Sequence, residues 1–146
     1  MAPVGVELEE GAHLDAGTYR ALRSAVGWPQ PPATDVELQH ALDLTWNIAA
    51  RDAEGNVVGI GRLLEDGALY ATIWDMIVHP DAQRRGIGRM ILERLLARVQ
   101  LRTIVALVAT PSGRPLYERY GFRAKSNGSV GMLLRPLPVG RADAAR

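Results

Sequence analysis

A chain of 146 residues that is 47% hydrophobic and 23% charged is sized for one soluble domain with a real core and leaves no room for a second. Its formal net charge of +1 gives no global pull toward nucleic acid or an anionic membrane, although nearly all of its basic residues are Arg, the better bidentate phosphate partner. The absence of cysteine excludes a disulfide framework, a thiolate metal site and a cysteine nucleophile; with no signal-like start and no apolar run long enough to span a bilayer, it predicts a soluble cytoplasmic protein.

The first predicted element is a short strand over Val4–Leu8. Asp15 is placed to cap a helix whose apolar positions Tyr19, Leu22 and Val26 recur at intervals of three and four and stop at Gly27. Trp28-Pro29-Gln30-Pro31-Pro32 reads as a loop. Thr34-Asp35-Val36-Glu37 is a capping box opening a second helix with Leu38, Ala41 and Leu42 on one stripe. Trp46, Ile48 and Ala50 alternate with polar neighbours, Ala53-Glu54-Gly55-Asn56 is turn chemistry, and Val57–Leu64 completes a hairpin. Gly59 and Gly61 in its second arm predict a bulge or a close approach to the backbone.

Glu65-Asp66-Gly67 turns the chain into a strand over Ala68–Val78. A helix follows from Ile87, with Ile91, Leu92, Leu95, Leu96 and Val99 on one face. Thr103–Ala109 is a continuous apolar run, expected to be a strand buried on both faces and parallel to the preceding one. Ser112 is positioned to cap a short helix carrying Leu116, Tyr117 and Tyr120 and ending at Gly121. Phe122–Ala124 and Gly131–Leu134 are predicted final strands. Residues 1–135 are expected to form the single domain, and 136–146 a mobile tail with little to bury.

The stretch between the strand over Ala68–Val78 and the helix that follows it carries the chemistry. In Gln83-Arg84-Arg85-Gly86-Ile87-Gly88-Arg89, two glycines let the backbone approach an anion, the helix start aims unpaired N–H groups at it, and Arg84, Arg85 and Arg89 add charge. The turn lies at the carboxyl end of its strand, where open α/β sheets bind ligands. On the pattern alone, an exposed strand-to-helix connection is an equal reading.

The order of elements, with Asp75-Met76-Ile77-Val78-His79-Pro80 before this turn and Leu116-Tyr117-Glu118-Arg119-Tyr120-Gly121-Phe122 after a further strand, resembles the GNAT superfamily of acetyl-CoA-dependent N-acetyltransferases. The resemblance covers about residues 14–134. It implies an α/β fold with a mixed, mostly antiparallel sheet, splayed open between two parallel strands and flanked by helices. It also implies acetyl-CoA as cosubstrate and no metal. The backbone of Met76, Ile77 and Val78 would pair with the pantetheine arm as a missing strand would. Gln83, Arg84, Arg85, Gly86, Ile87, Gly88 and Arg89 would hold the pyrophosphate.

The same resemblance implies direct attack of a primary amine on the thioester through a tetrahedral intermediate, with an N–H near Ile77 or Val78 as oxyanion donor and Tyr117 as general acid. The sequence departs from the family pattern in having Ala109-Thr110-Pro111 where many relatives place an Asn, and Thr72 where some place a Glu base. The amine is therefore expected to lose its proton through water, with Asp75 or His79 as weaker candidates. Asp75 reads first as structural, bonding a neighbouring backbone amide, and Tyr120 as core. Three separated histidines, His13, His40 and His79, make no metal site.

Trp28, Trp46, Trp74 and Tyr70 read as core, yet Tyr70 and Trp74 share one strand face, so an aromatic or flat hydrophobic acceptor is conceivable. Two other classes compete with the enzyme: an acyl-CoA-binding regulatory module without turnover, and a cradle for another phosphate ligand such as a nucleotide. Expected partners are a small-molecule or peptide amine, not nucleic acid or membrane, in a monomer or homodimer.

Overall fold

The computed structural model describes residues 5–125 and 127–135, and the chain divides into two compact units, Met1–Thr110 and Pro111–Arg146. In the first unit, β1 (Glu7–Glu10) precedes α1 (Ala16–Ala25) and α2 (Asp35–Asp43). Then come β2 (Trp46–Arg51), β3 (Val57–Glu65), β4 (Tyr70–Val78), α3 (Ile87–Arg98) and β5 (Ile104–Leu107). The strands lie in sequence order in one sheet, antiparallel from β1 to β4 and parallel between β4 and β5. This is the mixed, mostly antiparallel architecture that the resemblance implies.

The caps act where the sequence places them. The Asp15 carboxylate accepts from the Thr18 N–H at 2.8 Å, and Thr34 and Glu37 form the reciprocal capping box of α2. The two helices bury one face against the sheet, where Tyr19, Leu22, Leu38 and Leu42 pack with Ile60 and Ile77. The other sheet face takes α3. Gly59 and Gly61 let it sit close: a Cβ at Gly61 would lie 2.6 Å from Ile91 Cγ2, 2.7 Å from Met76 Sδ and 2.9 Å from Leu95 Cδ1. The two glycines therefore mark the approach of a helix to the strand backbone.

Several expectations need correction. β1 begins at Glu7 and not Val4, which lies outside the described residues. Its pairing with β2 runs from Glu7↔Arg51 to Glu10↔Ile48, and an Arg51–Glu9 ion pair at 2.7 Å suits its place at the sheet edge. β4 starts at Tyr70 and not Ala68, because the Asp66 carboxylate gathers the N–H groups of Ala68, Leu69 and Tyr70 at 2.7–3.1 Å and prolongs the turn.

β5 is shorter than predicted and is not buried on both faces: Ile104 is 62% exposed and Val108 beyond it equally so. The register pairs Ile104 with Tyr70 and Ala106 with Thr72, which puts them on the sheet face that α1 and α2 cover only at its other end, near Ile60 and Ile77.

In the second unit, α4 (Arg114–Arg119) starts at a Gly113 N-cap with no side-chain cap bond, so Ser112 is not the cap. Gly121, at φ 90°, ends it, its N–H bonding the Glu118 carbonyl at 3.1 Å. The predicted strands at Phe122–Ala124 and Gly131–Leu134 are absent: neither stretch joins a ladder among the described residues, and Met132 and Leu134 are exposed. The predicted tail, 136–146, lies outside the described residues.

Candidate active site

β4 outlasts its parallel neighbour. Pairing with β5 runs from Tyr70↔Ile104 to Ile73↔Leu107, and β4 then continues from Trp74 to Val78. Within that stretch the strand carries a bulge. Ile60 pairs with Ile77 and Arg62 with Trp74, so three steps on β4 match two on β3, and Asp75 has φ 52°. Past the bulge, the His79 N–H donates to the Val58 carbonyl at 2.8 Å. Antiparallel alternation then turns the Ile77 peptide groups toward β3 and those of Val78 toward the open side. Met76 sits beside the bulge with its sulfur against Gly61 on the α3 face.

The turn after β4 is tied back to this edge. His79 Nδ1 accepts from the Asp81 N–H at 3.2 Å and caps a short 3-10 turn over Pro80–Ala82, and Gln83 Nε2 donates to the Val78 carbonyl at 2.9 Å. Arg84 and Gly86 both adopt left-handed backbone, φ 62° and 81°.

Gly86 is the N-cap of α3 and makes no side-chain cap bond; the Met90 N–H to the Gly86 carbonyl, 3.1 Å, is the first helical bond. The N–H groups of Ile87, Gly88 and Arg89 thus have no partner within the helix, and no acidic residue occupies the first turn. Ile87, buried to 1% exposure, anchors the turn against β3. Arg89 lies 3.3 Å from Glu93 on the exposed helix face. The nearest atoms to a Cβ built at Gly86 are the Arg89 guanidinium nitrogens at 3.8–3.9 Å, so the space over the turn is open.

A strand edge that is unpaired among the described residues and leads to a basic helix start without a side-chain cap fits a molecule with an amide-bearing arm and a diphosphate. An open cleft of about 600 Å³ bordered by Trp46, Glu65, Asp66 and Arg98 is elsewhere, at the C-terminal end of α3. There Arg98 stacks on Trp46 at 3.9 Å and pairs with Glu65 at 2.9 Å.

Asp75 bonds no neighbouring amide, contrary to expectation. Its two oxygens accept from Tyr19 Oη at 2.9 Å, Arg23 Nη1 at 3.0 Å and Arg62 Nη1 at 2.8 Å. Tyr19, Arg23 and Arg62 were not legible as site residues. The available signal was an Arg and an Asp placed among apolar residues of adjacent predicted strands. Thr72 accepts from Trp74 Nε1 at 3.0 Å, and Tyr70 and Trp74 are exposed, 60% and 40%, rather than core. Trp28 stacks with Arg23 at 5.5 Å.

In the second unit Tyr117 is buried, 9% exposed, and packs edge-on against Phe122 with ring centroids 5.9 Å apart. Burial pushes its pKa above the ordinary phenol value of 10.0, which keeps the hydroxyl protonated at neutral pH. Its carbonyl accepts the Tyr120 and Phe122 N–H groups at 3.0 and 3.2 Å. Tyr120 is half-buried. Among the described residues, no group of three or more His, Asp or Glu could hold a metal ion, and no helix is long and apolar enough to cross a membrane.

Known acetyltransferases are similar to this chain in sequence and in fold. The model of an "Acetyltransferase (GNAT) domain" matches residues 44–124. An uncharacterized N-acetyltransferase, ycf52, of Porphyra purpurea is 31% identical over 135 residues, covering 90% of this chain and 78% of its own. A histone acetyltransferase, TAP1, of Glycine max is 32% identical, covering 86% of this chain and 59% of its own. A GNAT-family acetyltransferase from Streptococcus pneumoniae superimposes with a TM-score of 0.76 at 27% identity, covering 90% of this chain and 98% of its own. A Clostridium acetobutylicum protein described as a predicted acetyltransferase and solved with acetyl-CoA shares the fold, with a TM-score of 0.64 at 19% identity over 88% of this chain and 96% of its own.

Proposed function

Because the chain belongs to the GNAT acetyltransferase family, we propose that it moves an acetyl group from acetyl-CoA to a primary amine by direct attack. The observation that carries this reading is the edge of β4, without a strand partner from Trp74 to Val78 among the described residues and tied through Gln83 to the uncapped start of α3. The acetyl-CoA-bound relative of the same fold supports the choice of cosubstrate.

Acetyl-CoA, when bound, supplies the acetyl group as an activated thioester. On this reading the backbone from Met76 to Val78 lines the pantetheine arm. The N–H groups of Ile87, Gly88 and Arg89, with Arg84 and Arg85 beside them, hold the diphosphate. Gln83 fixes the turn to the strand. The Val78 N–H donates to the acetyl oxygen as negative charge grows there, a contribution worth on the order of 10²–10³ in rate where such a donor has been removed elsewhere. Tyr117, kept protonated by burial, gives its proton to the departing sulfur. The amine loses its proton through water, because both Asp75 oxygens are already engaged and His79 Nδ1 is a cap.

A thiol-release assay over a panel of primary amines tests the proposal: small alkylamines, arylalkylamines, and peptides with free N-termini or lysines. Relatives at about the same distance carry names as different as a histone acetyltransferase and a serotonin N-acetyltransferase, so the panel spans both classes. The expected result is thiol release that requires one amine class and yields an acetylated amine by mass. Binding of coenzyme A with no release across the panel favours the regulatory-module reading, which rests on Thr72 standing where some relatives carry a Glu and Ala109-Thr110-Pro111 where many carry an Asn.

A further inference from the structure

Asp75 combines two unusual features: left-handed backbone in a non-glycine strand residue, and a nearly buried carboxylate between two nearly buried guanidiniums. The side chains of Asp75, Arg23 and Arg62 are 12%, 16% and 11% exposed. Every nitrogen of both guanidiniums donates a hydrogen bond. Arg62 also reaches Thr45 Oγ1 and the Ala41 carbonyl, both at 3.2 Å; Arg23 also holds the Pro29 carbonyl through Nε at 2.8 Å and Nη2 at 2.6 Å. Tyr19 adds its hydroxyl to Asp75, and both guanidiniums lie against its ring, at 5.6 and 5.7 Å. Apolar packing usually stabilises such a place as well as buried charge does, so stability alone is a weak reason for this cluster.

Its position supplies a better one. The bulge changes the phase of β4. One residue more or fewer between Trp74 and Ile77 exchanges the peptide that faces β3 with the one that faces the open edge. We propose that the Tyr19–Arg23–Arg62–Asp75 cluster is a positioning device that pins the β4 bulge, so that Val78 presents its N–H to the open edge. This inference rests on the acetyl-transfer reading of that edge. Asp75 touches no reacting atom in it. Arg23 extends the constraint to the loop after α1, so one guanidinium fixes both the loop at Pro29 and the bulge.

The test compares wild type with Asp75→Asn, which keeps side-chain size and tolerance of left-handed backbone but loses the charge. Tyr19→Phe, which removes one hydrogen bond, is the milder second variant. The kcat of Asp75→Asn, per molecule competent to bind coenzyme A, is expected to fall about tenfold or more, since misplacement by about 1 Å can cost 10²-fold. The dissociation constant for acetyl-CoA stays within about threefold, because α3 holds the diphosphate turn independently. The acid limb of the pH–rate profile persists with a lowered plateau. Tyr19→Phe is expected to lose about two- to fivefold in kcat, in line with one modest hydrogen bond.

Unchanged kcat in both variants overturns the proposal, and so does disappearance of the acid limb in Asp75→Asn, which would make Asp75 a base. If wild type transfers no acetyl group, the reading of the site fails separately and amide exchange decides the positioning role. The Ile77 and His79 amides of Asp75→Asn are expected to exchange about tenfold faster relative to those of β2, and equal rates overturn the proposal.

Discussion

Gly86→Glu is expected to reduce coenzyme A affinity by about 100-fold or more while leaving the fold in place. The backbone at Gly86 has φ 81°, a conformation that costs a non-glycine residue roughly 1–2 kcal/mol. The added carboxylate would also occupy the open space over the turn and compete with the diphosphate for the N–H groups of Ile87, Gly88 and Arg89. Each charge-assisted hydrogen bond lost there is worth about 1.5–3 kcal/mol, and roughly 1.4 kcal/mol is a tenfold change in affinity. Gly86→Ala, which brings the strain without the charge, should lose about tenfold. Calorimetric titration with acetyl-CoA, alongside a thermal midpoint for each variant, separates lost binding from lost structure.

Tyr117→Phe is expected to lower kcat by about 10²-fold, the lower end of what general acid catalysis contributes, with acetyl-CoA binding unchanged. The pH profile identifies the cause. Burial raises the Tyr117 pKa above 10.0, so the wild-type rate holds through neutral pH and falls only as pH rises through that raised value. In the Phe variant this high-pH limb disappears. Tyr19 complicates the alkaline range: burial, and next the Asp75 charge, raise its pKa above 10.0 as well. A phenol raised in the folded state contributes stability that is complete below the unfolded value and is lost as pH climbs through the folded one. Folded fraction therefore has to be followed in the same samples. An unchanged limb in folded Tyr117→Phe would remove Tyr117 from the mechanism.

Local signals carried most of the architecture. The Asp15 and Thr34 caps, the stripe of α3 and the turn between β2 and β3 depend on residues a few positions apart, and the structure has them where the pattern put them. Gly59 and Gly61 pointed to a bulge or a close approach, and α3 makes the approach. The errors at β5 and over the final strands have a common source in partners distant along the chain. The apolar run around β5 says nothing of how far α1 and α2 reach across the sheet, so the exposure of Ile104 was not legible. Gly131 to Leu134 reads as a strand, but a strand also needs a ladder partner.

The turn at Gln83–Arg89 was visible as a motif because glycine positions, Arg charge and a helix start occur together in seven residues. The cluster at Asp75 was not, because Tyr19 and Arg23 lie more than fifty positions away. Nor does sequence alone disclose the alternation that sets Val78 against Ile77, because a one-residue bulge decides it.

Hydrogen exchange of the wild-type protein with and without acetyl-CoA tests the central claim most directly. If the cosubstrate pairs with the free edge of β4 and seats its diphosphate on α3, the Val78 amide and those of Ile87, Gly88 and Arg89 become protected on binding, while the amides of β1 and β2 do not change. Binding that leaves these four amides unprotected, or protects residues around Trp46 and Arg98 instead, would contradict the account.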